Sequence, residues 1–373
     1  MDETKGMKDL TKGSPFKLIL FFALPVFLGC VFQQLYNMAD TIIVGNTVGP
    51  EAFTGVGLTG SIVFLVVGSM NGLTSGFSVK VAQAFGAGEE DRVRRAVGMS
   101  YLLSILVAAV VTAVAVPLTG VLLDLMQTPP AYYEYAYSYL FVIFCGIPAT
   151  VFYNIVAGML RAVGDSRTPL YFLILSALLN VGLDFLFILA FRMHYTGAAV
   201  ATVLSQLISG IGCLICALHC YPVLRPRRSD FRWDFRLAGG HLAQGLPMAL
   251  QFSITAIGCM VQQTALNGLD AALPGVVTAY TAASKVDGIA TQTFVALGTA
   301  MATYTGQNYG AKEYGRIRKG VKVGMLYCLI SCALAFVFDV ALCEPLMRLF
   351  LNTDLSANVA EHYSEVIAYG RQY

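Results

Sequence analysis

The sequence predicts an all-α integral membrane protein, its helices arranged as two pseudo-symmetric lobes. Three observations carry this expectation. Hydrophobic residues make up 57% of the 373 and charged residues only 12%, where a soluble domain is about one quarter charged. A transmembrane helix needs about 20 mainly apolar residues. That ruler places spans near 16–40, 52–76, 96–118, 133–158, 169–191, 196–218, 245–268, 276–304 and 321–343, with a tenth starting near 359. Finally, QAFGAGEEDRVRRAV (83–97) and QNYGAKEYGRIRKGV (307–321) agree at seven of fifteen positions, and each follows two spans that open with Leu-Pro, at Pro25 and Pro247. One supersecondary plan was therefore used twice.

The division that follows is an amino-terminal six-helix lobe over 1–218, a polar Pro- and Arg-rich linker over 219–244, and a carboxy-terminal lobe over 245–373. Lys and Arg set the orientation, because they are retained on the cytoplasmic side of short loops. With the amino terminus inside, the inside segments hold Lys5 to Lys17, Arg92 to Arg95, Arg161, Arg167, Arg225 to Arg236 and Lys312 to Lys322, while the outside loops hold only Arg192 and Arg348. A multi-pass protein of the plasma (inner) membrane with a cytoplasmic amino terminus is expected. The net charge of +2 reflects this asymmetry and gives no reason to expect nucleic-acid binding. The first apolar segment is too long for a signal peptide and lacks a small-residue cleavage pattern, so it counts as a helix.

Within the first span, QQLYNMADTIIVG (33–45) carries a carboxylate in apolar surroundings. An aspartate at the bilayer centre costs about 2.5–3.5 kcal/mol on insertion scales, so Asp40 is expected to face the protein interior. Gln33, Tyr36, Asn37 and Asp40 fall at i, i+3, i+4 and i+7, one polar stripe on an apolar cylinder. The fifth span repeats the device: Asn180 and Asp184 are one turn apart in NVGLDFLFI. The sixth offers Thr202 and Gln206, again one turn apart. Were these helices to adjoin Asp40, two carboxylates, an amide and a hydroxyl would converge, a hard oxygen set suited to sodium or to a shared proton. Any one of Asn180, Thr202 or Gln33 taken singly is better read as a hydrogen bond between helices.

The remaining elements bear less chemistry. The seventh span contains no acid. The eighth carries Lys285 and Asp287 two residues apart, on different helix faces, with Lys285 either near a cavity or snorkelling to an interface. GVGLTG (55–60) matches a dinucleotide-loop pattern but opens a membrane helix and follows no strand, so close helix packing is expected of its glycines instead. No phosphate-binding GxxxxGK[ST] and no HExxH occurs. Cys213, Cys216 and Cys220 share one helix with His219, and a single helix cannot close a tetrahedral site, so no metal is expected there. No cofactor and no enzymatic activity are expected.

The Leu-Pro opening of the first span, QLYNMADTIIVG, RAVGDSRTP (161–169), NVGLDFLFI and the paired QxxGA loops together resemble the multidrug and toxic compound extrusion (MATE) transporters, over essentially the whole chain. The resemblance implies secondary active export of amphipathic, often cationic compounds by antiport against sodium or protons. It implies an ion site in the amino-terminal lobe at Asp40, Asn180, Asp184 and Thr202, with Tyr139 from the fourth helix, and a hinge at Pro25, where the missing hydrogen bond makes a bend cheap. Gln33, Tyr36 and Asn37 are expected at the substrate cavity, with Lys285 and Asp287 on its other side, and a monomer in the bilayer is expected. The resemblance also implies twelve helices, whereas the sequence stops within the tenth, so a fragment or an incomplete second lobe is expected. Two other functions fit the same architecture. A flippase for a lipid-linked precursor would have a more basic cavity, and a non-transporting scaffold would tolerate substitution of Asp40 and Asp184.

Overall fold

A computed structural model describes residues 9–47, 55–126, 128–269 and 287–351, with 280, 283 and 284. The elements named along this chain are all helical: α1 (Pro15–Thr47), α2 (Gly60–Gly86), α3 (Glu90–Leu125), α4 (Pro130–Cys145), α5 (Ile147–Ala162), α6 (Arg167–Phe185), α7 (His194–Cys220), α8 (Phe235–Leu269), α9 (Gln292–Gly310) and α10 (Tyr314–Leu351). Among the described residues seven helices are long and apolar enough to cross a membrane, and the α4–α5 pair, bent by 48°, supplies an eighth. Large apolar side chains such as Ile105, Leu178, Leu329 and Phe336 stand more than 60% exposed on α3, α6 and α10. Surfaces of this kind are stable in contact with lipid rather than water.

Helix ends differ from the expected spans for local reasons. The second span runs on to Gly86, so Gln83 to Gly86 form the last helical turn instead of a loop, and Gln307 to Gly310 end α9 in the same way. The seventh begins at Phe235, ahead of the expected residue 245, because the Asp234 carboxylate accepts the backbone N–H groups of Arg236 and Leu237 and caps it. The fourth breaks at Gly146. A Cβ there would lie 2.1 Å from the Val203 side chain of α7, and Pro148 follows in the next helix's first turn. The fifth ends in a π-helical turn, Leu186–Ala190, immediately beyond Asp184. Tyr373 and the tenth span lie outside the described residues.

Both copies of the repeat finish their helix with a left-handed residue: Gly88 (φ 72°) after α2 and Lys312 (φ 61°) after α9. Their N–H groups reach back to the carbonyls of Phe85 and Tyr309 respectively. The left-handed conformation costs an L-residue about 1–2 kcal/mol that glycine is spared. Lys312→Gly is therefore expected to raise the thermal midpoint, by about 0.5 kcal/mol or more in stability terms; an unchanged or lower midpoint in detergent would refute this.

Packing places α1 between α6 and α9, and α2 between α5 and α8, with α2 against α8 the most extensive contact. That crossing is built on glycine. A Cβ on Gly76 would lie 2.4 Å from Gly245 Cα, and one on Gly72 2.6 Å from the Met248 carbonyl oxygen. In GVGLTG, only Gly55 is tightly packed, against Tyr135. Among the described residues nothing lies within 4 Å of a Cβ on Gly57 or Gly60, contrary to the packing role expected of all three.

The basic segments converge on one end of the bundle. Arg227 lies 3.9 Å from Asp91, Tyr221 OH donates to Asp165 Oδ2 at 2.7 Å, and Gln307 meets both Leu10 and Ala162. Asp165 explains the RAVGDSRTP motif: its Oδ1 accepts the N–H groups of Arg167 and Thr168, capping α6, while its other oxygen anchors the linker through Tyr221. Burial, and the Asp165 carboxylate that accepts its hydrogen bond, hold the Tyr221 phenol above its ordinary pKa.

Candidate functional site

The polar residues of α6 lie on its buried face. Asn180 is 1% exposed and Asp184 is fully enclosed, as the four-residue spacing requires of one helix stripe. Across the contact with α7, Asn180 Nδ2 donates to Thr202 Oγ1 at 3.2 Å. Asn180 Oδ1 is buried with no hydrogen-bond partner among the described residues. An amide oxygen, a hydroxyl and a carboxylate thus belong to one pair of packed helices. Burial of a polar oxygen without a donor costs about 1–3 kcal/mol, and a cation or proton relieves that cost. Oxygen ligands of this kind suit hard cations.

Two further elements border the pair. Tyr139 on α4 packs against a cluster of Val56, Ile188 and Ala198, and Ile188 is one turn beyond Asp184. Gln206, one turn beyond Thr202, does not join Asn180; it accepts from Thr150 Oγ1 of α5 at 2.6 Å. The π turn directly after Asp184 widens the helix at the site, a distortion frequently found at functional positions. Nothing in the local sequence signals it.

Of the stripe on α1, Tyr36 is 8% exposed, Gln33 is partly buried and Asn37 is exposed. Tyr36 and Cys30 lie within electrostatic reach of Tyr153 on α5. Asp40 belongs to α1, but its side chain lies outside the described residues, as does Lys285. Pro25 sits within the continuous α1 helix. Asp287 is partly buried, and Asp339 on α10, which sequence reasoning passed over, is within its electrostatic reach.

Other polar pairs were also missed. Asn154 Nδ2 donates to Asn71 Oδ1 between α5 and α2, and Ser69 and Ser253 hydroxyls meet at 2.7 Å between α2 and α8. The available signal was several amides and hydroxyls scattered through each apolar span, which identifies no partner. Cys213 is enclosed in the core and the Cys216 and Cys220 sulfurs are 3.8 Å apart, all three as free thiols.

Comparison with known proteins places this architecture. A model of the MatE family matches residues 25–186 and 247–371. Among curated proteins, the chain is 29% identical over 363 residues to the probable multidrug resistance protein YpnP of Bacillus subtilis, covering 97% of this chain and 80% of that one. It is 28% identical over 347 residues to the probable multidrug resistance protein NorM of Thermotoga maritima, covering 90% of this chain and 72% of the relative. Among solved structures, a MOP superfamily transporter from Pyrococcus furiosus superposes with a TM-score of 0.88 at 25% identity, over 99% of this chain and 80% of that one. With most of its length matched by the family and its fold shared nearly end to end, the chain belongs to the MatE family of multidrug and toxic compound extrusion transporters.

Proposed function

We propose that this protein exports amphipathic, cationic compounds across the plasma membrane by antiport, driven by a sodium or proton gradient. The enclosed carboxylate of Asp184, one turn from an Asn180 oxygen without a donor, carries this reading. The relatives named as multidrug resistance proteins support the substrate class. The lobes are residues 1–218 and 245–373, joined by the linker 219–244, and the basic end of the bundle faces the cytoplasm by the positive-inside rule. Asp184, Asn180 and Thr202 hold the coupling ion, with Asp40 as the second carboxylate and Tyr139 at the border. Gln33, Tyr36 and Asn37 face the exported compound, and Lys285 and Asp287 tune the charge of the cavity.

Coupling requires that the ion favour one arrangement of the lobes over the other, because a ligand shifts an equilibrium only by its differential affinity. Pro25 supplies the flexible point in α1. The test is ethidium transport in proteoliposomes, with a sodium gradient imposed at constant pH and a pH gradient imposed at constant sodium. One of the two gradients is expected to drive uphill ethidium movement, and that gradient identifies the ion. Ethidium movement indifferent to both would refute antiport, and movement of a lipid-linked precursor analogue in its place would support the flippase reading.

A further inference from the structure

The two copies of the internal repeat touch each other. A Cβ on Gly86 would lie 1.9 Å from the Gln307 carbonyl oxygen, and a Cβ on Gly310 would lie 1.8 Å from the Gln83 carbonyl oxygen. These positions correspond in the repeat, so the contact is reciprocal, like an isologous interface within one chain. Each glycine meets backbone, which cannot swing aside, so the α2 and α9 ends approach as closely as a chain allows.

One side chain breaks the symmetry. Gln307, fully enclosed, accepts the Leu10 N–H at its Oε1 (2.9 Å) and donates from Nε2 to the Ala162 carbonyl at 2.8 Å. Ala162 ends α5, where helix carbonyls have no partner of their own. Beside it, Asn308 Nδ2 and Arg316 Nη2 both reach the Leu10 carbonyl at 3.3 Å, and Arg316 Nε donates to Asn308 Oδ1 at 3.0 Å. The Leu10 side chain is 1% exposed among Ile19, Phe22, Leu297, Ala300 and Tyr304. Both backbone groups of Leu10, a residue of the segment that leads into α1, are thus held by side chains of α9 and α10. Gln83, the counterpart of Gln307, makes no such bridge among the described residues; its Oε1 accepts from Lys80.

We propose that Gln307 is a positioning residue of the transport cycle, the keystone of a latch that closes the basic end of the bundle by tying the Leu10 strap and the α5 terminus to the second half. Opening that end breaks the Gln307 to Ala162 bond and parts the two glycines, while the strap stays with α9 and α10. The transport role rests on the proposed antiport, but the latch itself is measurable without transport.

Hydrogen–deuterium exchange in lipid nanodiscs tests it, on peptides spanning 79–88, 303–312 and 9–18. Gln307→Met removes both bonds and is expected to raise exchange about tenfold or more in all three peptides. Gln307→Glu keeps the acceptor for Leu10 but loses the donor to Ala162, so 79–88 and 303–312 are expected to rise while 9–18 stays protected. Gly86→Ala and Gly310→Ala are expected to act alike, and the double variant no more strongly than either, since one wedge already parts the seam. Exchange that rises only in 303–312 would mean local loosening and overturn the latch. Should the Gln307 variants fail to fold, Leu10→Pro removes the strap's N–H with Gln307 and its Ala162 bond in place; exchange is expected to rise at 9–18 and stay low at 79–88, and unchanged exchange at 9–18 would overturn the latch. An intact exchange response in a protein that moves no ethidium would count against the antiport reading alone.

Discussion

Asp184→Asn is expected to abolish gradient-driven ethidium efflux while leaving the protein folded in the membrane. The substitution conserves volume and removes the charge at a fully enclosed position. At an effective dielectric constant of about 20, a carboxylate about 4 Å from a monovalent cation contributes roughly 4 kcal/mol, on the order of a thousandfold in ion affinity. Coupling lost to that extent leaves no driving force at physiological gradients. The amide has the same shape as the carboxylate it replaces, so the variant is expected to reach the membrane folded. Equal efflux by parent and variant at equal membrane expression would move the coupling site away from α6, with Asp40 and Asp287 the next carboxylates to test. Loss of the folded protein itself would indicate a structural role for Asp184.

The second large effect concerns two alanine substitutions of opposite sign. Gly76→Ala places a methyl group 2.4 Å from Gly245 Cα and 2.6 Å from the Gln244 carbonyl oxygen, both backbone atoms of α8. Overpacking of this kind costs about 1–3 kcal/mol or more, and relief requires α2 and α8 to separate along their most extensive contact. Gly258, in the interior of α8, has nothing among the described residues within 4 Å of its Cβ position. There alanine meets no obstacle and brings a helix-propensity gain of about 0.5–1 kcal/mol. Thermal unfolding in detergent is expected to place Gly76→Ala below the parent and Gly258→Ala at or above it. Equal midpoints would mean that the close crossing does not limit stability.

The two glycines show why some of this molecule could be read from its residues and some could not. A helix span is a local property, since about 20 apolar residues in series satisfy their own backbone and prefer lipid. The placement of α1, α3, α6 and α7 followed from hydropathy for that reason. The i, i+4 rule put Asn180 above Asp184 before any fold was known, because helical periodicity alone fixes which side chains share a face. The repeat at residues 83 and 307 was equally legible, being a comparison of the chain with itself.

Contacts between helices depend on partners distant in sequence, and these the residues did not declare. Thr202 and Gln206 looked equivalent, yet one receives the Asn180 amide and the other meets Thr150. Gly55 and Gly57 stand in one motif, and only the first is pressed against a neighbour. The break at Gly146 is marked locally by Gly146 and Pro148, but its close approach to Val203 of α7 is not, and the π turn over Leu186–Ala190 leaves no mark in local composition. By itself the sequence determined a helical membrane protein with a duplicated plan, a basic end and carboxylates too costly to leave in lipid. Only the tertiary structure decided that the duplicated helix ends clasp each other glycine to backbone, with Gln307 bonded across them. Hydropathy and periodicity act along a single helix, whereas close approach and hydrogen-bond partnership arise only when particular helices are brought side by side.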